Sequence, residues 1–138
     1  MQTLLSDECA EYCPWVDNYV VGPLSDLRLD RPIHLAAMTH VIEHLPRPGE
    51  IFIELAKHMA VDGKIYITAP FRPSLWQPEQ GFEPWLSYPY LHVPAHLSYL
   101  SEKWMRTMAA RSGFEVIRWD VSLDGYQVFE AILRKLKS

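Results

Sequence analysis

The stretch from His34 to Pro70, HLAAMTHVIEHLPRPGEIFIELAKHMAVDGKIYITAP, decides the fold. Ile33 to Ile42 is apolar on both alternating faces, the pattern of a central parallel strand covered on both sides. Pro46 and Pro48 end that strand, and a helix starts near Pro48, since the first helical turn has no use for the amide hydrogen that proline lacks. Phe52, Leu55, Ala56 and Met59 recur at the i, i+3, i+4, i+7 spacing of one helix face, and Gly63 is expected to close the helix. Lys64 to Ala69 reads as a strand with Ile65 and Ile67 on one side and Tyr66 and Thr68 on the other. Strand, helix and strand together form a right-handed crossover.

Upstream, Met1 to Leu5 is a short apolar run, and Ser6 or Asp7 caps an expected helix through Cys13 that Pro14 ends. Tyr19 to Val21 is rich in β-formers and stops at Gly22-Pro23. Downstream, residues 71–97 are dense in Pro, Trp and Tyr without a lasting period, which marks a long loop. Its aromatics Trp76, Phe82, Trp85, Tyr88 and Tyr90 either line a pocket for a planar substrate or fold the loop back over the sheet, and the second reading is preferred. Ser101 reads as an N-cap with Leu100 and Met105 as a hydrophobic staple. Trp104, Met105, Met108 and Ala109 form the buried stripe of a helix that Gly113 ends. Phe114 to Val121 and Tyr126 to Leu133 make an antiparallel hairpin around Asp124-Gly125.

A chain of 138 residues, 49% hydrophobic and 22% charged, fits a single domain over residues 1–138 with its own core. With no apolar run of membrane-spanning length and no basic-then-apolar leader, a soluble cytoplasmic protein is expected. Cys9 and Cys13 are too few for a disulfide framework and lack CxxC spacing, so two reduced thiols are expected. A net charge of −4 argues against a nucleic-acid-binding face, because such affinity rests on Lys and Arg neutralising phosphates.

THVIEHLPRP, ELAKHMAVDGKIYITAP and HVPAHLSYLSEKWMRTMAARSGFEV, in that order, resemble the later part of the class I S-adenosylmethionine-dependent methyltransferase family, from about Val20 to the C-terminus. The resemblance implies an incomplete Rossmann-like α/β fold: a mostly parallel sheet ending in an antiparallel hairpin, with the first strand and helix missing. It also implies a parent activity of methyl transfer from S-adenosylmethionine to a small-molecule or ribose-type acceptor. Departures fall on the cofactor side. The family's glycine-rich turn has no counterpart, Leu4 or Leu5 stands where the ribose-binding acid is expected, and Asp7 is a displaced substitute. Gly22-Pro23 stands where Gly-Asp is usual, leaving Asp26 as the nearest carboxylate. Thr39, His40, Asp7 and Asp26 are thus the expected cofactor-binding residues, and Glu43, His44 and His96 the expected catalytic ones on the acceptor side.

His40, Glu43 and His44, with His92 or His96 farther on, also resemble the metal site of small-RNA 2′-O-methyltransferases. A divalent metal there would be held by His40, Glu43, His44 and His96, and the nitrogen-rich set would suit zinc, cobalt or manganese better than magnesium. The preferred reading has no metal, with the histidines contacting the acceptor or packing under the loop. HxxEH is also a pattern of zinc-dependent hydrolases, but that chemistry needs both histidines on one helix, whereas residues 36–42 read as a strand. The third reading is a truncated, non-catalytic remnant or partner subunit. In it the unpaired edge of strand 33–42 makes a homodimer, or takes up a heteromeric partner that completes the cofactor site.

Overall fold

The computed structural model describes residues 4–5, 16–19, 22–73, 76–122 and 127–137, in two compact units, residues 1–31 and 32–138. The helix expected between Ser6 and Cys13, Asp7, both cysteines, Val20 and Val21, and the Asp124-Gly125 turn lie outside the described residues.

In the first unit, strand β1 (Leu4–Leu5) pairs parallel with β2 (Asn18–Tyr19). A 3-10 turn over Leu24–Asp26 follows Pro23, and Arg28 donates to the carbonyls of Ser25 at 3.0 Å and Leu27 at 2.9 Å. Those two bonds satisfy carbonyls that so short a turn leaves free.

The second unit is built on a four-stranded sheet in the order β3-β4-β6-β5. Strand β3 (Ile33–Thr39) runs parallel to β4 (Met59–Pro70) across helix α1 (Glu50–His58), the crossover expected from the sequence. Strand β5 (Phe114–Ser122) and β6 (Val128–Lys135) form the expected antiparallel hairpin, and β6 lies antiparallel to β4. The register sets Met38, Ile67 and Ala131 side by side on one face, and Ile65 beside Leu133 on the same face. All five are buried. Helix α1 buries Phe52 and Leu55, and α3 (Glu102–Arg111) buries Met105 and Ala109. Fully burying a large apolar side chain contributes about 1.5–3 kcal/mol, so this layer is the main source of stability. Ser101 caps α3 as expected, its hydroxyl oxygen accepting from the Trp104 amide at 3.2 Å, and Gly113 leaves the helix at φ 77°.

Two expectations are corrected. Strand β3 ends at Thr39 rather than Ile42 and, among the described residues, forms an edge of its sheet, not the centre, with only one of its faces covered. Leu35 is 67% exposed on the other face, while Met38 is 7% exposed. A run with apolar residues on both faces is compatible with either placement, and among the described strands the sheet grows from β4 toward the hairpin rather than beyond β3. The second correction concerns α1, which stops at His58, so that Gly63 lies within β4. Ile33 pairs with Met59 and Leu35 with Lys64, so residues 60–63 bulge out opposite His34. Asp62 takes a φ of 62°, and a Cβ at Gly63 would sit 2.8 Å from the Ala60 oxygen and 2.9 Å from the Ile33 oxygen. The glycine therefore serves a close backbone approach instead of a helix stop.

The long segment after β4 holds a 3-10 turn (Pro78–Gln80) and a short helix α2 (Glu83–Leu86). Trp85 and Tyr88 are buried, Trp85 meets Tyr99 edge-on at 4.7 Å, and the Tyr88 hydroxyl reaches the carbonyls of Phe71 and Gln127. Most of these aromatics pack on one another and on the end of the sheet, the preferred of the two readings.

Candidate active site

The site begins where β3 stops. His40 has a φ of 53°, a left-handed conformation uncommon outside glycine, and its amide still donates to the Thr68 carbonyl at 2.9 Å. The ladder thus runs one residue past the strand before the chain turns into a 3-10 turn over Ile42–His44. Ile42 is drawn into the core with 0% exposure, and Glu43, the next residue, is also buried at 0%.

A buried carboxylate is costly unless it is paired and hydrogen-bonded. Glu43 Oε1 lies 3.3 Å from His40 Nδ1 and 3.8 Å from His44 Nε2. Among the described residues, neither oxygen of Glu43 accepts a hydrogen bond. The carboxylate is held by imidazoles, not by the backbone donors that usually compensate such burial, and this leaves it acceptor capacity to spare.

The loop approaches the same carboxylate from the other side. Leu97 and Ser98 donate their amides to the Glu43 carbonyl at 2.8 Å and 3.3 Å, which brings His96 against the turn. The His44 and His96 rings meet edge to face with centroids 4.8 Å apart. His44 Nδ1 is 2.8 Å from the Ala95 carbonyl, and His96 Nδ1 is 2.8 Å from the Tyr90 carbonyl. A carbonyl only accepts, so each Nδ1 carries a hydrogen, and in the neutral ring each Nε2 keeps its lone pair. Glu43, His44 and His96 each offer one ligand atom, and these atoms all lie within 4.8 Å of one another. The arrangement can take up a proton or hold a cation.

His92, the other histidine open to this role on sequence grounds, places Nε2 3.0 Å from the Pro89 carbonyl and spends that nitrogen as a donor. Of the two, His96 belongs to the cluster. The Tyr90 ring stands beside it, with its centroid 5.9 Å from that of His40 and 6.3 Å from that of His96. Thr39 ends β3, and its side chain is exposed next to His40. Asp26 lies in the 3-10 turn of the first unit, exposed and accepting from the Ser25 hydroxyl at 3.3 Å. The hydrolase geometry is absent, since His40 has a left-handed φ and His44 ends a three-residue turn, so no helix carries both. Sequence reasoning passed over Tyr99, whose hydroxyl donates to the Tyr90 carbonyl at 2.6 Å. The available signal was its place three residues beyond His96 in the run HLSYL.

A family described as a methyltransferase domain matches residues 6–118. No curated protein matches the chain. Solved structures share the fold at low identity. A chain of the complex between the Haloferax volcanii Trm112 methyltransferase activator and its methyltransferase aligns with a TM-score of 0.68 and 12% identity, over 98% of this chain and 71% of that one. The magnesium protoporphyrin IX methyltransferase of Synechocystis, with bound S-adenosylhomocysteine, aligns with a TM-score of 0.60 and 13% identity, over 93% and 56%. An enzyme of a pericyclic reaction aligns with a TM-score of 0.67 and 12% identity, and there the chain spans 36% of its partner's length. Among the described residues, no helix is long and apolar enough to cross a membrane.

Proposed function

The chain belongs to the methyltransferase domain family, and from that premise we propose that its second unit forms the acceptor side of a methyl transfer from S-adenosylmethionine to a hydroxyl of a small molecule or a ribose. The observation that carries the proposal is the buried Glu43 carboxylate clustered with His44 and His96, whose Nδ1 atoms each donate to a backbone carbonyl. A hydroxyl is a weak nucleophile until its proton is removed, and a positioned base contributes about 10²–10⁴-fold to such a step. His96 Nε2 accepts the hydroxyl proton, with His44 beside it, and Glu43 stabilises the imidazolium that results. Tyr90 walls the side on which a planar acceptor would stack. Thr39 and His40, exposed at the end of β3, lie against the cofactor. The bound cofactor supplies the methyl group and leaves as S-adenosylhomocysteine, while the proton stays on the base.

The same donor set fits a divalent metal, because Glu43 keeps unfilled acceptor capacity and His44 and His96 place Nδ1 on backbone carbonyls, the support that metal-ligating histidines normally have. Glu43, His44 and His96 would hold the ion, with His40 nearby, and it would add Lewis acidity toward the acceptor oxygen. The metal-free reading remains the preferred one.

A second reading is favoured by β3 itself: an edge strand without a charged Lys, Arg, Asp or Glu, with Leu35 exposed, is open to pairing with a second copy or a partner chain that completes the cofactor site. Calorimetric titration with S-adenosylhomocysteine separates the two. Micromolar binding by the chain alone supports the enzyme reading, and no heat of binding contradicts it in favour of a subunit that needs its partner.

A further inference from the structure

Tyr99 meets the segment that leads to His96 through its hydroxyl. It donates to the Tyr90 carbonyl at 2.6 Å. The Tyr90 carbonyl also accepts the His96 Nδ1–H at 2.8 Å, so both of its lone pairs are used, one by Tyr99 and one by His96. The Tyr99 ring is fixed separately, edge-on to Trp85 at 4.7 Å and to Tyr88 at 6.1 Å. The hydroxyl is therefore delivered from a rigid aromatic base to a carbonyl in an otherwise irregular segment.

We propose that Tyr99 is a positioning residue for His96: by pinning the Tyr90 carbonyl, it holds the imidazole with a proton on Nδ1 and leaves Nε2 as the nitrogen that accepts. A histidine ring can turn over and exchange the roles of its two nitrogens, and what prevents it is an acceptor in a fixed place opposite Nδ1. Without the pin the Tyr90 peptide is free to rotate, the acceptor moves, and Nε2 becomes a donor that cannot accept a proton. Tyr99 never meets the acceptor molecule and acts only through His96. The inference rests on the reading of His96 as the acceptor-side base.

The test is the Tyr99→Phe variant, which removes one oxygen and keeps the ring contacts. Nitrogen-15 spectra of the histidine rings at neutral pH should show His96 of the unaltered chain protonated at Nδ1 alone, and in Tyr99→Phe a mixture in which the Nε2-protonated form is substantial. The near-ultraviolet signature of the aromatic cluster should be retained in the variant. If His96 keeps the Nδ1 tautomer in Tyr99→Phe, the inference is overturned while the base reading stands. The inference is also overturned if only Tyr99→Leu, which removes the ring as well, disturbs His96, since packing alone would then be responsible. If His96 of the unaltered chain already carries its proton on Nε2, the base reading itself is wrong.

Discussion

The Leu97 amide donates to the Glu43 carbonyl at 2.8 Å, so the residue after His96 is tied to the backbone of the residue whose buried carboxylate the imidazole approaches. One backbone bond therefore sets both the closure of the long loop and the geometry of the cluster. The side chain of Glu43 is then a poor contributor to stability, because it is buried with neither oxygen hydrogen-bonded among the described residues.

Glu43→Gln is expected to leave stability unchanged or raise it by about 1 kcal/mol, since it removes, at nearly constant volume, a buried carboxylate that accepts no hydrogen bond among the described residues. Thermal denaturation at neutral pH checks this. A fall of several degrees in Tm would show that the carboxylate is a structural ion-pair partner of His40 and His44 instead of a site kept for function.

Phe52→Ala should cost about 3–5 kcal/mol, the usual range for emptying a buried phenylalanine site. Phe52 is fully buried in α1 and meets the Trp104 ring of α3 at 6.3 Å, so its loss loosens the contact between the two helices. Urea denaturation measures the change, and a loss below about 1 kcal/mol would contradict the placement of the core.

Stability should fall above about pH 10. Burial pushes the hydroxyl pKa of Tyr88 well above its ordinary value of 10.0, and burial, with the Glu43 charge adding to it, also raises that of Tyr99, although the His92 amide bond works the other way. In each case the folded chain holds the proton more tightly than the unfolded one. The stabilisation is thus complete below pH 10 and is lost as pH rises toward the folded value, at up to about 1.4 kcal/mol per pH unit for each group. Denaturant melts between pH 8 and 12 test the sign, and flat stability across that window would contradict it.

The crossover could be read from the residues because Phe52 and Leu55 keep a helical period while Ile65 and Ile67 alternate, and the covered sheet face imposes both patterns. The edge position of β3 could not, since IHLAAMT carries apolar residues on both faces and the exposure of Leu35 depends on which strands pair around it. Asp62-Gly63 marked a break, but nothing local says whether a break ends a helix or bulges a strand. At the site, the spacing of His40, Glu43 and His44 was visible, and the preference for His96 over His92 was not. That preference is made by the carbonyls of Tyr90 and Pro89, and a backbone acceptor leaves no trace in residue type.

Leu35→Arg should change the stability of the isolated chain by no more than about 0.5 kcal/mol, as for an exposed position. It should abolish association through β3, because a charge on an edge strand opposes further pairing. Light scattering across micromolar concentrations compares the two chains. Association that survives the substitution would place any partner elsewhere.

The central claim is that His96 is the base on the acceptor side, and labelled methyl transfer tests it most directly. Small-molecule hydroxyl and ribose acceptors are incubated with methyl-labelled S-adenosylmethionine and either the unaltered chain or His96→Gln. The expected result is transfer to a hydroxyl that drops about 10²–10⁴-fold in His96→Gln, with the Kd for S-adenosylhomocysteine unchanged. Equal rates in the two chains, or no transfer to any hydroxyl while the cofactor binds, would contradict the account.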